Sequence, residues 1–211
     1  MSLEDWCRYA DQALFRSLVT TRKGKPVMQQ VQVQLNGVNL SQMERAVKAV
    51  TEKPSLAQFQ FRLVNRWING AHNRSTVKSF YGAGQEDTIR TEPFVLDADE
   101  PLLLLGRDHG ANPAEHVLHA LAASLTTALV YHAAARGIAI EAVESRVEGE
   151  IDIQGFLGLS DHVRKGYQNI RVSFKVKTDA PAAILRELFQ FSPVYDTVSN
   201  PVPVSISVET D

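Results

Sequence analysis

One serine, Ser124, lies within an apolar run and is a candidate for chemistry as a nucleophile. A nucleophilic serine needs a base within hydrogen-bond reach, a group that orients the base, and an oxyanion hole. His116 precedes Ser124 by two turns of the predicted helix, which is too far along the axis for a direct bond. The surrounding residues also lack the Gly-x-Ser-x-Gly pattern. The sequence therefore favours a Ser124 hydroxyl bonded to a helix carbonyl over a hydrolase nucleophile.

The histidines and the single cysteine give weak grounds for a metal site or a disulfide. His116, His119 and His132 fall on one predicted helix, and Glu115 is the one carboxylate that could complete a ligand set. This spacing indicates ordinary histidine contacts rather than a metal site. Cys7 is the only cysteine, so no intramolecular disulfide can form, which fits a reducing compartment. We expect no metal and no cofactor.

Composition and charge argue against several classes of partner. The formal net charge is −2, and no basic cluster gives an electrostatic reason to bind nucleic acid or an anionic membrane. The first residues include Glu4 and Asp5 and lack the apolar core of a secretory signal. Apolar runs such as 102–105 are too short to span a bilayer. We therefore expect a cytoplasmic protein with no nucleic-acid or membrane partner.

Strand and helix patterns alternate along the chain, which predicts an α+β protein with mainly antiparallel pairing. A short helix is expected to begin at Ser41, because Ser41 and Glu44 can form a capping box, and to end before Pro54. A last strand containing Pro203 should lie at a sheet edge, since proline cannot donate to a ladder. Alternating apolar residues place the predicted strands at 31–35, 59–63, 170–176 and 202–208.

The best-specified element is a long helix over 113–136. Asn112 can cap its start, Pro113 suits the first helical position, and Gly137 can adopt the left-handed conformation that closes it. The helix is apolar almost all round, which predicts that it is buried.

Two later segments are predicted less sharply. A shorter helix after Pro181 is expected to turn its apolar residues inward, and the glycine-rich segment 155–160 exposes Phe and Leu side chains that need cover. That segment fits a mobile lid or a dimer contact, and it equally fits a loop tucked onto its own domain. The expected inward residues of the shorter helix are Ile184, Leu185, Leu188 and Phe189.

Three stretches together resemble the OsmC/Ohr family of osmotically inducible and organic hydroperoxide resistance proteins. They are Gly-Ala-Asn-Pro at 110–113, Leu-Ala-Ala-Ser-Leu-Thr at 121–126, and Ser-Pro-Val at 192–194 followed by Asn-Pro-Val-Pro-Val at 200–204. The resemblance implies an α+β fold, in which antiparallel sheets wrap a long buried central helix, and an intertwined homodimer with paired sites at the interface. It begins only near Phe59, so residues 1–55 are expected to be an N-terminal extension of an OsmC-like domain at 56–211.

The resemblance also implies thiol chemistry. In this family one cysteine thiolate reduces an organic hydroperoxide, a second cysteine resolves the sulfenic acid, and an Arg and a Glu keep the thiolate reactive. Here Ser124 stands at the reactive position and Ser192 at the resolving position. Ala114 takes the place of the expected Glu, although Glu115 is adjacent. The candidates for the arginine are Arg66 and Arg74.

Serine at position 124 removes the expected activity, because a hydroxyl is barely ionised near neutral pH and oxygen has no sulfenic acid step. Cys7 would substitute only if the N-terminal extension folded back into the site. The sequence therefore predicts a redox-inactive relative that binds a small apolar or amphipathic ligand in the inherited pocket at the interface. The alternative is a thiol-dependent hydroperoxide reductase of oxidative stress defence. It requires either a cysteine at position 124 of the natural sequence or an unrecognised mechanism.

Overall fold

A computed structural model describes residues 34–87 and 89–210, together with the backbone of Val19–Thr20 and Pro26–Val27. The chain divides into two compact units, Met1–Val117 and Leu118–Asp211. The predictions for Cys7, Val31 and Val33 lie outside the described side chains.

The first unit is built from short antiparallel pairs. Its described strands are β1 Val19–Thr20, β2 Pro26–Val27, β3 Gln34–Leu35, β4 Val38–Asn39, β5 Gln60–Phe61, β6 Val64–Asn69, β7 His72–Val77, β8 Phe80–Gly82, β9 Gln85–Glu86 and β10 Phe94–Ala98. One three-stranded sheet has the order β10-β7-β6, and a second has the order β5-β8-β9. Strands β1 and β2 form a pair, as do β3 and β4. A two-residue turn at 70–71 joins β6 to β7 and closes a hairpin.

Helix α1 spans Leu40–Glu52 and begins one residue before the predicted start. Asn39 is its cap, because the Asn39 side-chain oxygen accepts a hydrogen bond from the Gln42 N–H at 3.0 Å. The capping box at Ser41 was therefore the wrong choice of cap. The predicted end before Pro54 is confirmed, and 3-10 turns follow at Pro54–Ala57 and, after β10, at Leu102–Leu104.

The long helix α2 spans Pro113–Ala135, as predicted. Asn112 and Glu115 cap it reciprocally: the Asn112 side chain accepts from the Glu115 N–H, and the Glu115 carboxylate accepts from the Asn112 N–H, both at 2.8 Å. Gly137 follows with φ of 70°, the left-handed conformation that ends a helix. Its fully buried residues all lie from Leu121 onward, and over this part the predicted buried central helix is confirmed.

By length and composition α2 is also apolar enough to cross a membrane. This is weak evidence, since the core helix of a soluble protein passes the same test.

The second unit combines a long hairpin with short helices. Strand β11 spans Ala142–Glu150 and pairs antiparallel with β12, Asn169–Lys177, over nine register positions. Alternate residues along both strands are exposed, which confirms the predicted alternation at 170–176. The helices are α3 Ile153–Phe156, α4 Ala182–Leu188 and α5 Pro193–Ser199, with a 3-10 turn at Phe189–Phe191 between the last two.

The core of the second unit joins α2 to α4. Leu129 and Ala133 of α2 pack with Leu185 and Leu188 of α4, and the Phe174 ring of β12 lies 4.6 Å from the Phe189 ring. Burying these aliphatic side chains supplies the main stabilisation of the unit.

Three predictions for the second unit differ from the structure. Ile184 is partly exposed rather than inward, because α4 turns Leu185 and Leu188 toward α2. Phe156, Leu157 and Leu159 are exposed, so segment 155–160 is not tucked onto its own domain. Residues 201–210 form no strand, and the alternating Val202, Val204, Ile206 and Val208 are exposed. A strand needs a neighbour to receive its backbone hydrogen bonds, and no described strand is placed beside this tail.

Candidate functional site

The structure brings Ser124 and Ser192 together. Their Oγ atoms lie 2.8 Å apart, within hydrogen-bond distance. Ser124 lies on α2, and Ser192 caps the start of α5, where its Oγ accepts from the Tyr195 N–H at 3.2 Å. The Val194 N–H donates to the Ser124 Oγ at 3.4 Å. Ser192 is 1% exposed, so this pair of hydroxyls closes the junction of α2 with the start of α5.

This geometry corrects one prediction about Ser124 and supports another. The hydroxyl of Ser124 bonds to Ser192 and to the backbone of Val194, rather than to a helix carbonyl. Within the described chain, no histidine or carboxylate hydrogen-bonds either hydroxyl, so neither serine has the general base that a hydrolase nucleophile needs. The two hydroxyl groups are therefore hydrogen-bonded, but no base among the described residues activates either of them as a nucleophile.

Phe191, the residue directly before Ser192, stacks on His132 with the two ring centroids 4.1 Å apart. Burial and the nearby Arg136 guanidinium lower the pKa of His132, so this imidazole is held neutral. A neutral, stacked histidine completes the packing beneath the turn that carries Ser192.

An apolar groove of about 780 Å³ opens in the second unit between β12 and α4. Leu125, the residue after Ser124, contributes to its wall, and so does Tyr195, whose N–H bonds Ser192. The groove therefore lies beside the serine pair. Its full lining is Leu125, Val172, Ser173, Phe174, Val176, Thr178, Ala180, Ala182, Leu185, Arg186, Phe189, Gln190 and Tyr195.

A separate polar network lies in the first unit around Asp97, at the end of β10. The Arg74 guanidinium donates to both carboxylate oxygens of Asp97, at 2.9 and 3.2 Å, and the Nε2 atom of His72 lies 2.8 Å from Oδ1. These contacts, the Arg74 bond first and the His72 bond second, hold the pKa of Asp97 below its usual value. The bidentate contact fixes the plane of the guanidinium.

A second carboxylate, Asp99, extends the same network. It is 2% exposed, its Oδ2 lies 2.7 Å from Nδ1 of His109, and it accepts the backbone N–H groups of Glu100, Arg107 and His109. The His109 bond, together with these backbone bonds, overcomes the effect of burial and lowers the pKa of Asp99 to about 2. The ring of His109 stacks on His72 at 4.5 Å, which links the two carboxylates.

Tight backbone packing supports this network. A Cβ atom at Gly106 would lie 1.7 Å from the backbone carbonyl oxygen of Glu100, and one at Gly110 would lie 2.3 Å from the backbone carbonyl oxygen of Asp97. Only glycine allows the segment before α2 to approach β10 this closely.

The other predicted site residues have different surroundings. Arg66 and Arg74 are register partners on β6 and β7, both exposed, and Arg74 is the one bonded to Asp97. Glu115 bonds the Asn112 N–H as part of the α2 cap. Ala114, where the resemblance places a carboxylate, offers none.

The histidines of α2 do not gather. His116 bonds the Asp97 carbonyl oxygen at 3.2 Å, whereas His132 stacks on Phe191. In the part of the chain that the structure describes, no group of three or more His, Cys, Asp or Glu side chains is placed to hold a metal ion.

Four residues of the polar network, namely His72, Asp97, Asp99 and His109, were missed by the sequence reasoning. The bonds of Asp97 to His72 and Arg74 join residues 25 and 23 positions apart, which local spacing does not reveal. One signal was available: Asp97 and Asp99 come directly after the apolar run 94–96, near the end of β10, where polar side chains often form sites.

Comparison with known proteins places this architecture. A sequence model of the family described as OsmC-like protein matches residues 106–207, which include both serines and the groove. Residues 106–207 of the chain belong to the OsmC/Ohr family. The family is linked to hydroperoxide resistance. Among curated proteins, none matches the sequence.

Solved structures support the OsmC fold. The OsmC-like protein of Mycoplasma pneumoniae has a TM-score of 0.51 and 15% identity, over 67% of this chain and 89% of its own. Two other solved structures are less similar. The organic hydroperoxide resistance protein OsmC of Legionella pneumophila has a TM-score of 0.43 and 15% identity, over 66% of this chain and 90% of its own. The organic hydroperoxide resistance protein OhrB of Bacillus subtilis has a TM-score of 0.38 and 22% identity, over 66% of this chain and 93% of its own. The likeness to the Mycoplasma pneumoniae protein confirms the α+β OsmC-like fold.

The first prediction concerns the Asp99 carboxylate and pH. Its folded pKa of about 2 lies below the unfolded value near 3.9, so ionised Asp99 stabilises the fold above about pH 4 and this stabilisation is lost as the pH falls toward 2. Asp99→Asn should lower the urea midpoint at pH 6, and its difference from the unmodified protein should shrink between pH 4 and pH 2. Asp161→Asn, at an exposed position, is the control. A difference that stayed constant from pH 6 to pH 2.5 would contradict this account.

The second prediction concerns the distance between the two serines. In a Cys7→Ser background, Ser124→Cys with Ser192→Cys should form an intramolecular disulfide under mild oxidation, because the side chains already point at one another. Intact mass should fall by the two hydrogens lost, and thiol titration should find none free. The control pair, Ser124→Cys with Ser199→Cys, places its second thiol at an exposed position at the far end of α5 and should stay reduced. Free thiols in the first pair would refute the geometry.

Proposed function

We propose that this protein is a redox-inactive OsmC-like protein that binds a small apolar or amphipathic ligand. The observation that carries the proposal is the pair of hydroxyls, 2.8 Å apart, at the two positions to which the family resemblance assigns the reactive and resolving sulfur atoms. The groove beside that pair supplies the binding surface. We place the protein in the cytoplasm, consistent with its single cysteine.

Oxygen cannot replace sulfur in the family's reaction. A thiolate attacks a peroxide oxygen and becomes a sulfenic acid, and a second thiol then displaces water to form a disulfide that a reductant opens. Neither Ser124 nor Ser192 has a hydrogen-bonded base to ionise it, and an alkoxide would still have no oxidation step to follow. The proposed site therefore has two hydroxyl groups at these positions and lacks the thiols that the family's reaction needs.

Binding remains possible after the loss of redox chemistry. Groove volumes of about 300–1,000 Å³ accommodate small ligands, and this groove falls in that range. Its walls come largely from aliphatic and aromatic side chains of β12 and α4, including Val172, Phe174 and Leu185. Such a surface favours a ligand with a substantial apolar part.

A hydroperoxide reductase is the second candidate, and the same short distance between Ser124 and Ser192 favours it. If the natural sequence had cysteine at position 124, the position would be ready for a thiol. The carboxylate that partners Arg74 is already supplied by Asp97, although Ala114 leaves the family's own position empty.

The third prediction concerns the stepwise replacement of the two serines by cysteine. In the Cys7→Ser background, Ser124→Cys should form a sulfenic acid with cumene hydroperoxide, trapped by dimedone, and should turn over slowly with a dithiol. Adding Ser192→Cys and Ala114→Glu should raise turnover roughly ten-fold, because a resolving thiol and a general electrostatic partner are then present.

The control for this series is Ser199→Cys, a thiol at an exposed position at the end of α5. It should react no faster than free cysteine. A Ser199→Cys protein as reactive as Ser124→Cys would show that position 124 has no special environment and would remove the basis of the proposal.

We also propose that the protein is a homodimer in which a second copy covers its exposed apolar side chains. Large contiguous apolar surface is uncommon on monomers, and each of the two units exposes several large side chains. In the first unit they include Phe61 at 73%, Trp67 and Phe94; in the second they include Phe156, Val204 and Ile206. The tail at 201–210, apolar and without a strand partner in the described chain, is the part most in need of cover.

The fourth prediction tests the dimer in solution. Sedimentation velocity at micromolar concentration should give twice the chain mass. Ile206→Asp should weaken association at least roughly ten-fold, because a charge would be buried in an apolar contact. Ser205→Asp, its neighbour on the opposite face of the extended tail, should have little effect. A monomer mass for the unmodified protein would overturn the proposal.

A further inference from the structure

One charged residue distinguishes the groove between β12 and α4. Among the described residues that line it, Arg186 is the single charged side chain, and the rest of the lining is apolar or neutral. We infer that the groove selects a ligand with an apolar chain and one carboxylate, and that Arg186 is the residue that recognises the carboxylate. This inference rests on the proposed ligand-binding function and adds the chemical class of the ligand.

The apolar part of the site has a defined floor and wall. Val172, Phe174 and Val176 alternate along the inward face of β12, and Leu185 and Phe189 face them from α4 and the turn that follows it. The rings of Phe174 and Phe189 contact at 4.6 Å, which gives one part of the groove a rigid aromatic surface. A flexible alkyl chain lying along a strand of alternate aliphatic residues would bury both surfaces from water.

The charge of Arg186 is not used within the described chain. No carboxylate of the described residues bonds its guanidinium, whereas Arg146 and Arg171, on the exposed face of the hairpin, pair with Glu148 and Glu150. A guanidinium that borders an apolar groove has a strong preference for a carboxylate, because it can donate two parallel hydrogen bonds to it.

The lining also argues against other ligand classes. It contains no Asp, Glu or Lys, so a cationic ligand would meet only like charge, and a polyanion would find a single partner. Neutral polar side chains are few among the described lining residues: Thr178 already donates to the Ala139 oxygen, which leaves Ser173, Gln190 and Tyr195. A singly charged amphiphile matches this lining better than a sugar, a nucleotide or an amine.

The fifth prediction compares dodecanoate with dodecanol, below their aggregation limits, by isothermal titration calorimetry. Dodecanoate should bind more tightly than the alcohol. Arg186→Gln should weaken dodecanoate binding roughly ten-fold and leave dodecanol unchanged, since it removes one partly exposed charge interaction. Lys175→Gln is the matched control, because it removes a cation from the exposed face of the same strand that lines the groove. Val172→Trp, which fills the groove, should abolish binding of both ligands.

The outcomes separate this inference from the proposed function. Equal binding of dodecanoate and dodecanol, unaffected by Arg186→Gln, would overturn the carboxylate specificity and leave apolar ligand binding standing. Absence of binding by either ligand would overturn both. If neither ligand binds and Val172→Trp converts a dimer to a monomer, the occupant of the groove is a second copy of the chain, and the inference fails. Equal losses in Arg186→Gln and Lys175→Gln would reduce the effect to general charge and would also refute it.

Discussion

The hydrogen bond between the Ser124 and Ser192 hydroxyls is the contact around which the second unit is arranged. It joins the middle of the long helix to the residue that caps α5, and the backbone N–H groups of Val194 and Tyr195 complete it. Both oxygens are thus satisfied, as buried polar groups must be. The same contact fixes the turn that carries Phe191 and places Tyr195 at the edge of the groove. Hydroxyls can hold this junction, and under the proposed function they do so without cycling between oxidation states as sulfur does.

The polar network of the first unit illustrates a different constraint. Asp99 accepts four hydrogen bonds from a single short segment and is almost fully buried, so it stays ionised far below neutral pH. Asp97 orients Arg74 in the same way. Charged groups so completely bonded order the backbone around them. In a relative without the reactive sulfur, Arg74 and its carboxylate therefore retain a reason to persist as structure.

How far the sequence could predict this molecule depended on the range of each interaction. The long helix was predictable because its signals are local: Asn112 caps it, Pro113 begins it and Gly137 ends it. Alternation likewise revealed the hairpin strand at 170–176. The family resemblance pointed to Ser124 and Ser192 as a pair of site positions, and the structure places their Oγ atoms 2.8 Å apart although 68 positions separate them in the sequence.

Other features could not be predicted from the sequence, because they depend on contacts with residues that are distant in the chain or that lie outside it. The strand expected at 202–208 has the right pattern, yet no described strand pairs with it. Ile184 has the same hydrophobicity as its neighbours, and only the packing of α4 on α2 decides which of them is buried. Asp97 contacts Arg74 and His72 because β10 pairs with β7 in the sheet, and no sequence motif predicts these contacts.

The central claim is that this OsmC-family protein has kept the site and lost the reaction. Its most direct test is hydroperoxide consumption by the unmodified chain in the presence of a dithiol, measured against buffer and against the Cys7→Ser protein. The account predicts consumption at the buffer rate for both proteins. Sustained turnover that survives Cys7→Ser would contradict it, because no sulfur would then remain at the site to carry the oxygen.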